Sequence, residues 1–206
     1  GGGTLIHQKR ALILGCGYVG CALARILERE GVEVKATTRS HERFPEIEAL
    51  GAAPAIADVT LPATLTPLVN WEPHVVFDLV RPQLIGQDRY TTWGTRNVAH
   101  AFSRTPLEAL VYLSSTSVYG RRHGESTDEA TEIDPVSPMG RTRAEAERVY
   151  LQPFDRAAFP VRTCRVPGTY GPGRTLRQRL ETGAYRRLDD DDLWVSRIHV
   201  DDLVEG

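Results

Sequence analysis

Short apolar runs alternate with longer amphipathic stretches along most of this chain. Ala11–Leu14, Val75–Val80 and Glu108–Leu113 are compact runs of the kind that strands buried on both faces present. Val32–Thr38 alternates and ends in β-branched residues, which predicts another strand. Pro54–Ala57 and Val161–Val166 read as two more. Between these runs, Cys21–Glu30, His41–Leu50, Tyr90–Phe102 and Met139–Leu151 carry helical patterns, and Gly31 and Gly51 stand where two of the helices should stop. Leu61–Leu68 holds two prolines and predicts only a short helix. Beyond the last clear strand, Thr175–Thr182 and the stretch from Asp201 read as helical, with an extended piece at Leu193–Val200. Regular alternation of strand and helix predicts an α/β fold built on a doubly wound parallel sheet.

The junction between the first strand and the first helix carries the most chemistry. Gly15, Gly17 and Gly20 fall at G-x-G-x-x-G spacing within Gly15-Cys16-Gly17-Tyr18-Val19-Gly20. Strand, glycine turn and helix form the context in which this spacing binds a dinucleotide. Gly15 permits a tight turn, Gly17 leaves the backbone open to a pyrophosphate, and Gly20 lets the helix pack against the strand. The phosphates then meet free N–H groups at the positive end of the helix. Cys16 is either a reactive thiol in the loop or a small turn residue. The whole stretch also has a plain alternative, a glycine-rich turn without a ligand.

The end of the second strand separates NAD from NADP. Readers of NAD usually carry an acidic residue about 20 residues beyond the glycines, on the ribose hydroxyls. Here Thr37, Thr38, Arg39 and Ser40 occupy that place and no carboxylate does. An arginine between hydroxyls suits a 2′-phosphate, so the expected cofactor is NADP, with NAD as the alternative. Arg39 as a solvated loop charge is the other reading. Asp58, just past the third strand, suits either an adenine amino group or a turn. Val80 closes the fourth strand where a ligand crevice lies, before Arg81-Pro82. Ser114-Ser115-Thr116-Ser117 crowd the carboxyl end of the fifth strand, where open parallel sheets bind ligands.

Composition narrows the partners. The net charge is −2 without a basic block, which gives no electrostatic ground for nucleic acid or an anionic membrane. No apolar run is long enough to span a bilayer. The three cysteines lack metal-ligand spacing and predict reduced thiols in a cytoplasmic protein. The histidines are scattered, so no metal site is expected. Residues 1–9 read as a flexible or vector-derived lead-in, residues 10–166 as the dinucleotide-binding domain, and residues 167–206 as part of a C-terminal substrate region.

Five segments in order resemble the extended and atypical branches of the short-chain dehydrogenase/reductase family, often grouped as NAD-dependent epimerase/dehydratases. They are Gly15–Gly20, Gly94–Val98, Ser114–Gly120, Arg165–Gly173 and Arg197–Leu203. The resemblance implies a Rossmann-type sheet with a small C-terminal substrate region. Because family members are usually longer, it also implies that this region is cut short here. Sugar nucleotides are the family's commonest substrates, and helices flanking its sheet often make homodimers. Its machinery is a Ser or Thr, a Tyr and a Lys. The tyrosine exchanges a proton with the substrate, the lysine lowers its pKa and holds the nicotinamide ribose, and the hydroxyl bonds the same substrate oxygen. Carried over, Ser115 takes the hydroxyl position with Thr116 beside it. The Tyr-x-x-x-Lys pair falls on Met139 and Arg143, so the spacing is kept and the chemistry is not. Met139 has no ionisable proton, whereas Arg143 still offers a cation to ribose or phosphate. Leu14 and Thr91 also replace the family's first glycine and an asparagine.

Three functions stay open on these residues. The chain is an oxidoreductase or epimerase-like enzyme acting on a sugar nucleotide or a small hydroxy or carbonyl compound, with Tyr119, Ser115, Thr116 or Tyr170 as substitute groups. Alternatively it is a catalytically inactive NADP-binding sensor, scaffold or regulatory protein. The third possibility is a related fold that holds only partner proteins.

Overall fold

The computed structural model describes residues 8–87, 89–115, 137–151 and 161–166. Its elements run β1 (Arg10–Leu14), α1 (Tyr18–Arg29), β2 (Glu33–Thr38), α2 (Phe44–Ala49), β3 (Ala53–Ile56), α3 (Thr66–Asn70), β4 (Val75–Asp78), β5 (Gln83–Gly86), β6 (Arg89–Thr91), α4 (Trp93–Phe102), β7 (Ala109–Ser115), α5 (Pro138–Leu151) and β8 (Val161–Val166). Six strands form one parallel sheet in the order β3-β2-β1-β4-β7-β8. The chain builds outward from β1 to β3, returns to lay β4 against the other side of β1, and continues outward again. This is the Rossmann-type doubly wound arrangement, and its order reverses between β1 and β4. Ligands of such sheets bind outside the carboxyl ends of the strands at that reversal.

Alternation along β1 explains why helices cover both faces. Ala11 and Ile13 pack with Leu23 and Leu27 of α1 and Ile47 of α2. Leu12 and Leu14 point the other way, into Leu68 of α3, Val98 and Phe102 of α4, and Val149 of α5. The side chains of Ala11–Leu14 are fully buried, and a buried side chain of the larger kind stabilises by about 1.5–3 kcal/mol. The unbroken apolar run after Arg10 is what such two-sided burial demands.

Several boundaries differ from the sequence reading. Helix α1 starts at Tyr18 rather than Cys21, because Gly17 is already its N-cap and Gly20 lies within it. The predicted helix His41–Leu50 is a 3-10 turn at His41–Arg43 followed by α2, with Pro45 in the first turn lacking an N–H to bond backward. The predicted helix Tyr90–Phe102 begins only at Trp93. Its first residues belong to β6, which pairs antiparallel with β5 through Gln83↔Thr91 and Leu84↔Tyr90. Tyr and Thr favour a strand, and the nearby partner strand tipped the balance. Gln8 and Lys9, read as lead-in, are tied to the domain: Gln8 donates to the Gly31 carbonyl at 2.6 Å, and the Lys9 carbonyl accepts from Glu33 at 2.9 Å. The expected elements beyond Val166 lie outside the described residues. Among the described residues no helix is long and apolar enough to cross a membrane, and no group of side chains could hold a metal ion.

Candidate functional site

The three loop glycines meet three different constraints. Gly15 sits at φ +85°, a left-handed conformation in which a side chain is strained, and a Cβ there would lie 3.0 Å from Val80 Cγ2. Gly20 faces the Gly15 carbonyl, which a Cβ would approach to 2.7 Å. Gly17 is the opposite case: a Cβ added to it meets nothing within 4 Å among the described residues. The loop is anchored by β2. Gly15 N–H donates to Thr37 Oγ1 at 3.0 Å and Cys16 N–H to the Thr37 carbonyl at 2.8 Å. Gly17 N–H turns back to the Gly15 carbonyl at 2.9 Å. The first bond of α1 runs from Cys21 N–H to the Gly17 carbonyl at 2.9 Å. The amides of Tyr18, Val19 and Gly20 therefore precede any helical partner, and Gly17 offers no capping side chain. No acidic residue stands in this first turn to neutralise the helix end. These features fit a dinucleotide pyrophosphate. Of the loop amides proposed from the motif, those of Gly15, Cys16 and Gly17 are committed within the protein, which leaves Tyr18 and its successors as donors.

At the end of β2 the hydroxyls are also partly engaged. Thr38 Oγ1 accepts from Ser40 N–H at 3.2 Å, and Ser40 Oγ caps the 3-10 turn through Glu42 N–H at 3.3 Å. Arg39 is exposed beside them. Asp58 accepts from Thr60 N–H at 2.9 Å and from the Thr60 hydroxyl at 2.6 Å, both on Oδ1. These bonds, helped by the charge of Arg39, hold its carboxyl below the usual range. Asp58 is thus a turn-forming residue in this fold, and its Oδ2 meets no hydrogen-bond donor among the described residues. Val80 is half-buried and packs on Gly15, its N–H on Asp78 Oδ1 at 3.1 Å.

Around α5 lies a buried polar group. Arg143 Nη1 donates to the Leu113 carbonyl at 2.9 Å, near the end of β7. Asp78 is buried at the tip of β4 and accepts from the Tyr150 hydroxyl as well as from Val80. Burial pushes its carboxyl up to about 6, against the opposing pull of those two bonds and of the Arg143 charge. Tyr112 stacks tilted on Tyr150 with ring centres 5.3 Å apart. Arg143 lies beside the Tyr112 hydroxyl, yet this hydroxyl and Ser114 Oγ have no partner in hydrogen-bond geometry among the described residues. Burial raises the Tyr112 phenol above its ordinary value. Glu145, also on α5, accepts from Thr92 Oγ1 at 3.0 Å and from Arg96 Nη2 at 2.9 Å, which clasps α5 to α4. Met139 is half-buried in the first turn of α5. Ser115 ends β7, and Thr116, Tyr119 and Tyr170 lie outside the described residues.

The model of the NAD dependent epimerase/dehydratase family matches residues 11–206. This chain belongs to that family. Among curated members it is similar to 2-alkyl-3-oxoalkanoate reductase of Stenotrophomonas maltophilia, with 29% identity over 201 residues, covering 91% of this chain and 60% of the relative. It is also similar to dTDP-D-glucose 4,6-dehydratase of Mus musculus, with 30% identity over 80 residues, covering 39% of this chain and 22% of that one. Among solved structures, UDP-glucuronic acid 4-epimerase from Bacillus cereus, in complex with NAD, superposes with a TM-score of 0.67 at 20% identity, covering 77% of this chain and 56% of that one. That likeness is one of fold. The chain spans 60% or less of the length of each of these family relatives.

Sequence reasoning missed Asp78, Tyr112, Tyr150, Arg43 and Cys21. A signal existed for part of this set: Arg143, Glu147 and Tyr150 recur at helical spacing on one face of α5, and Glu147 and Tyr150 are both buried. Asp78 was visible as the lone charge in the run VVFDLV. Arg43 carried no local signal.

Proposed function

We propose that this chain binds a nicotinamide dinucleotide, with NADP preferred to NAD, as part of an oxidoreductase or epimerase-like protein acting on a sugar nucleotide or a small hydroxy or carbonyl compound. The observation that carries this reading is the bare, uncapped start of α1 opposite the open side of Gly17, at the β1/β4 reversal. The NAD complex of the Bacillus cereus epimerase, which shares the fold, supports the cofactor class. Tyr18 and Val19 offer N–H groups to the pyrophosphate. Thr38, Arg39 and Ser40 meet the adenosine ribose, with the Arg39 cation set for a 2′-phosphate. Asp58 Oδ2 is the acceptor for an adenine amino group, and Val80 lines the crevice beside Gly15. When bound, the nicotinamide supplies or accepts hydride. Ser115 and Thr116 bond the substrate oxygen, and Arg143 holds the end of β7 that carries Ser115. The free thiols of Cys16 and Cys21 suit a reducing compartment such as the cytoplasm.

Calorimetry with NADPH and NADH on the wild type, Gly17→Val and Arg39→Asp tests this reading. Gly17→Val is expected to abolish binding while melting near the wild type, since its side chain enters open space. Arg39→Asp removes a charge-assisted contact of about 2 kcal/mol, so NADPH weakens roughly thirtyfold and NADH does not. Unchanged affinity in Gly17→Val, or equal preference in both Arg39 forms, refutes the assignment.

A second reading rests on α5. Met139 holds no proton to exchange, and Arg143 is bonded to a backbone carbonyl rather than to a phenol. A chain that binds dinucleotide without turnover, as a sensor, scaffold or regulatory subunit, meets both facts. A bound nucleotide in the purified protein with no turnover of any hydroxy or carbonyl substrate favours this reading.

A further inference from the structure

Two cysteines meet where the glycine loop enters α1. Cys16 is buried between Gly15 and Gly17, and Cys21 is half-buried in the first turns of the helix. Their sulfurs lie 3.6 Å apart. Arg43 spans the pair: Nη2 is 3.5 Å from Cys21 Sγ, and Nη1 donates to the Cys16 carbonyl. Glu46 Oε2 fixes the same guanidinium at 3.1 and 3.2 Å, and its Oε1 lies 3.9 Å from Cys21 Sγ. Cys164 is on β8, three strands from β1.

We propose that Cys16 and Cys21 form a redox-active dithiol, oxidised by a peroxide to an intramolecular disulfide that reshapes the glycine loop. Cys21 is the attacking sulfur. A hydrogen bond from Cys16 and the Arg43 guanidinium hold its thiol well below the ordinary value, against burial and the Glu46 charge. Cys16, raised by that same bond and by burial, stays protonated as the resolving thiol. The Cys21 thiolate attacks one peroxide oxygen, the O–O bond breaks, and hydroxide leaves to take up the proton Cys21 released. The Cys16 sulfur then attacks the sulfenic sulfur of Cys21, the S–O bond breaks, and hydroxide leaves with the Cys16 proton as a second water. Two thiols lose two electrons and two protons, and one peroxide becomes two waters.

The consequence for the loop follows from geometry. A disulfide needs its sulfurs at about 2.05 Å, so the pair must close by about 1.5 Å. Cys21 is held in a helix, whereas Cys16 sits in the turn, so the turn supplies most of the movement. The Cys16 carbonyl and N–H are the contacts of that turn with Arg43 and Thr37, and both must adjust. Weakened dinucleotide binding is therefore expected, and this part rests on the dinucleotide reading above. By linkage, bound dinucleotide protects the dithiol to the same extent: about tenfold in affinity corresponds to about 30 mV in the potential of this two-electron pair.

The test treats the reduced chain with stoichiometric hydrogen peroxide, then reads intact mass, peptide maps and NADPH affinity. The expected result is a product lighter by two hydrogens, crosslinked at Cys16–Cys21, that binds NADPH about tenfold or more weakly and recovers with dithiothreitol. Cys164→Ser forms the same crosslink, and Cys21→Ser does not. Arg43→Met keeps both cysteines but slows Cys21 alkylation by iodoacetamide at neutral pH and moves its pH profile upward toward that of a free thiol. Sulfinic acid without a crosslink, or an unchanged alkylation profile in Arg43→Met, overturns the dithiol. A crosslink that leaves NADPH affinity unaltered overturns the coupling. Failure of the reduced chain to bind any dinucleotide refutes the cofactor reading instead, and the crosslink is still read independently by mass.

Discussion

Replacing Asp78 by asparagine should remove a pH dependence built into the centre of the sheet. The Asp78 carboxyl is 2% exposed and touches two donors, the Tyr150 hydroxyl and the Val80 N–H. Both donors favour the charged form, as does Arg143, yet burial outweighs them and lifts the group from an ordinary 3.8 to about 6. The folded protein therefore holds this proton more tightly than the unfolded chain does. The sign follows directly: the stability tied to this group is full below the unfolded value, falls as pH rises from 3.8 to about 6, and is lost above that. The difference in acidity corresponds to about 3 kcal/mol carried by the ionised form at neutral pH.

The asparagine side chain of Asp78→Asn retains the shape and an oxygen for Val80 N–H, and Tyr150 turns to accept from the new amide. The absolute stability of the variant includes the cost of that rearrangement, but its pH slope does not. Urea unfolding of both proteins from pH 4 to pH 8 reads the difference between them, so carboxylates common to both cancel. Moving from pH 4, where the unfolded carboxyl is already partly ionised, to pH 7.5 should shift that difference by about 2.4 kcal/mol in favour of the variant. At a urea slope of about 2 kcal/mol/M this is a midpoint change on the order of 1–2 M. A difference that stays level across the range would mean that Asp78 ionises normally and that the buried network is hydrated or open.

Two further outcomes concern the backbone. Gly20→Ala forces a Cβ to within 2.7 Å of the Gly15 carbonyl, and a backbone atom cannot step aside as a flexible side chain can, so a loss of about 1–3 kcal/mol in chemical unfolding is expected; a variant as stable as the wild type would show that α1 is free to slide on β1. Glu72 sits at φ +57° with its carbonyl bonded by Arg10, so Glu72→Gly should raise stability by up to about 1 kcal/mol, checked by thermal melting, and a lower melting temperature would refute strain there.

The fold was largely legible because the central strands bury both faces. Ala11–Leu14 has no polar position to confuse with a helix face, and Gly15 follows it at once. The hairpin was not legible for the opposite reason. Arg89–Thr91 is short and lies against the start of a real helix, so a helical pattern extended backward over it absorbs the strand. Its partner strand, β5, exposes Leu84 and Ile85, which erases the alternation a half-buried strand would show. The glycine turn between β1 and α1 was readable as a local motif, since strand, turn and helix are contiguous. The Asp78–Tyr150 bond joins residues 72 positions apart, and the Arg143–Leu113 bond joins residues 30 apart. Such pairings arise from the crossing of α5 over the sheet, and no local pattern encodes them.

That crossing makes a last perturbation informative. Helix α5 is held by polar contacts that do not involve its first-turn chemistry: Tyr150 on Asp78 at one end, and Glu145 on Thr92 and Arg96 along its side. Met139 and Arg143, which the family resemblance sets at its Tyr and Lys positions, thus ride on a helix that is already anchored. In this arrangement Arg143 donates to Leu113 with a planar, delocalised group, where a lysine would place a compact ammonium. Met139→Tyr combined with Arg143→Lys restores an ionisable phenol and a cation four residues later on the same helical face. With the helix already anchored, the double variant needs no refolding of its support, and a positioned acid–base group contributes about 10²–10⁴-fold. Reduction of a small ketone or a 4-keto sugar nucleotide by NADPH, followed by loss of nicotinamide absorbance, should therefore rise by at least about tenfold over the wild type. If the wild type already turns over at ordinary family rates, the silent-binding reading fails and a different group must move the proton. If the double variant binds NADPH as the wild type does and still shows no rise, the anchoring of α5 does not place its first turn where the hydride moves.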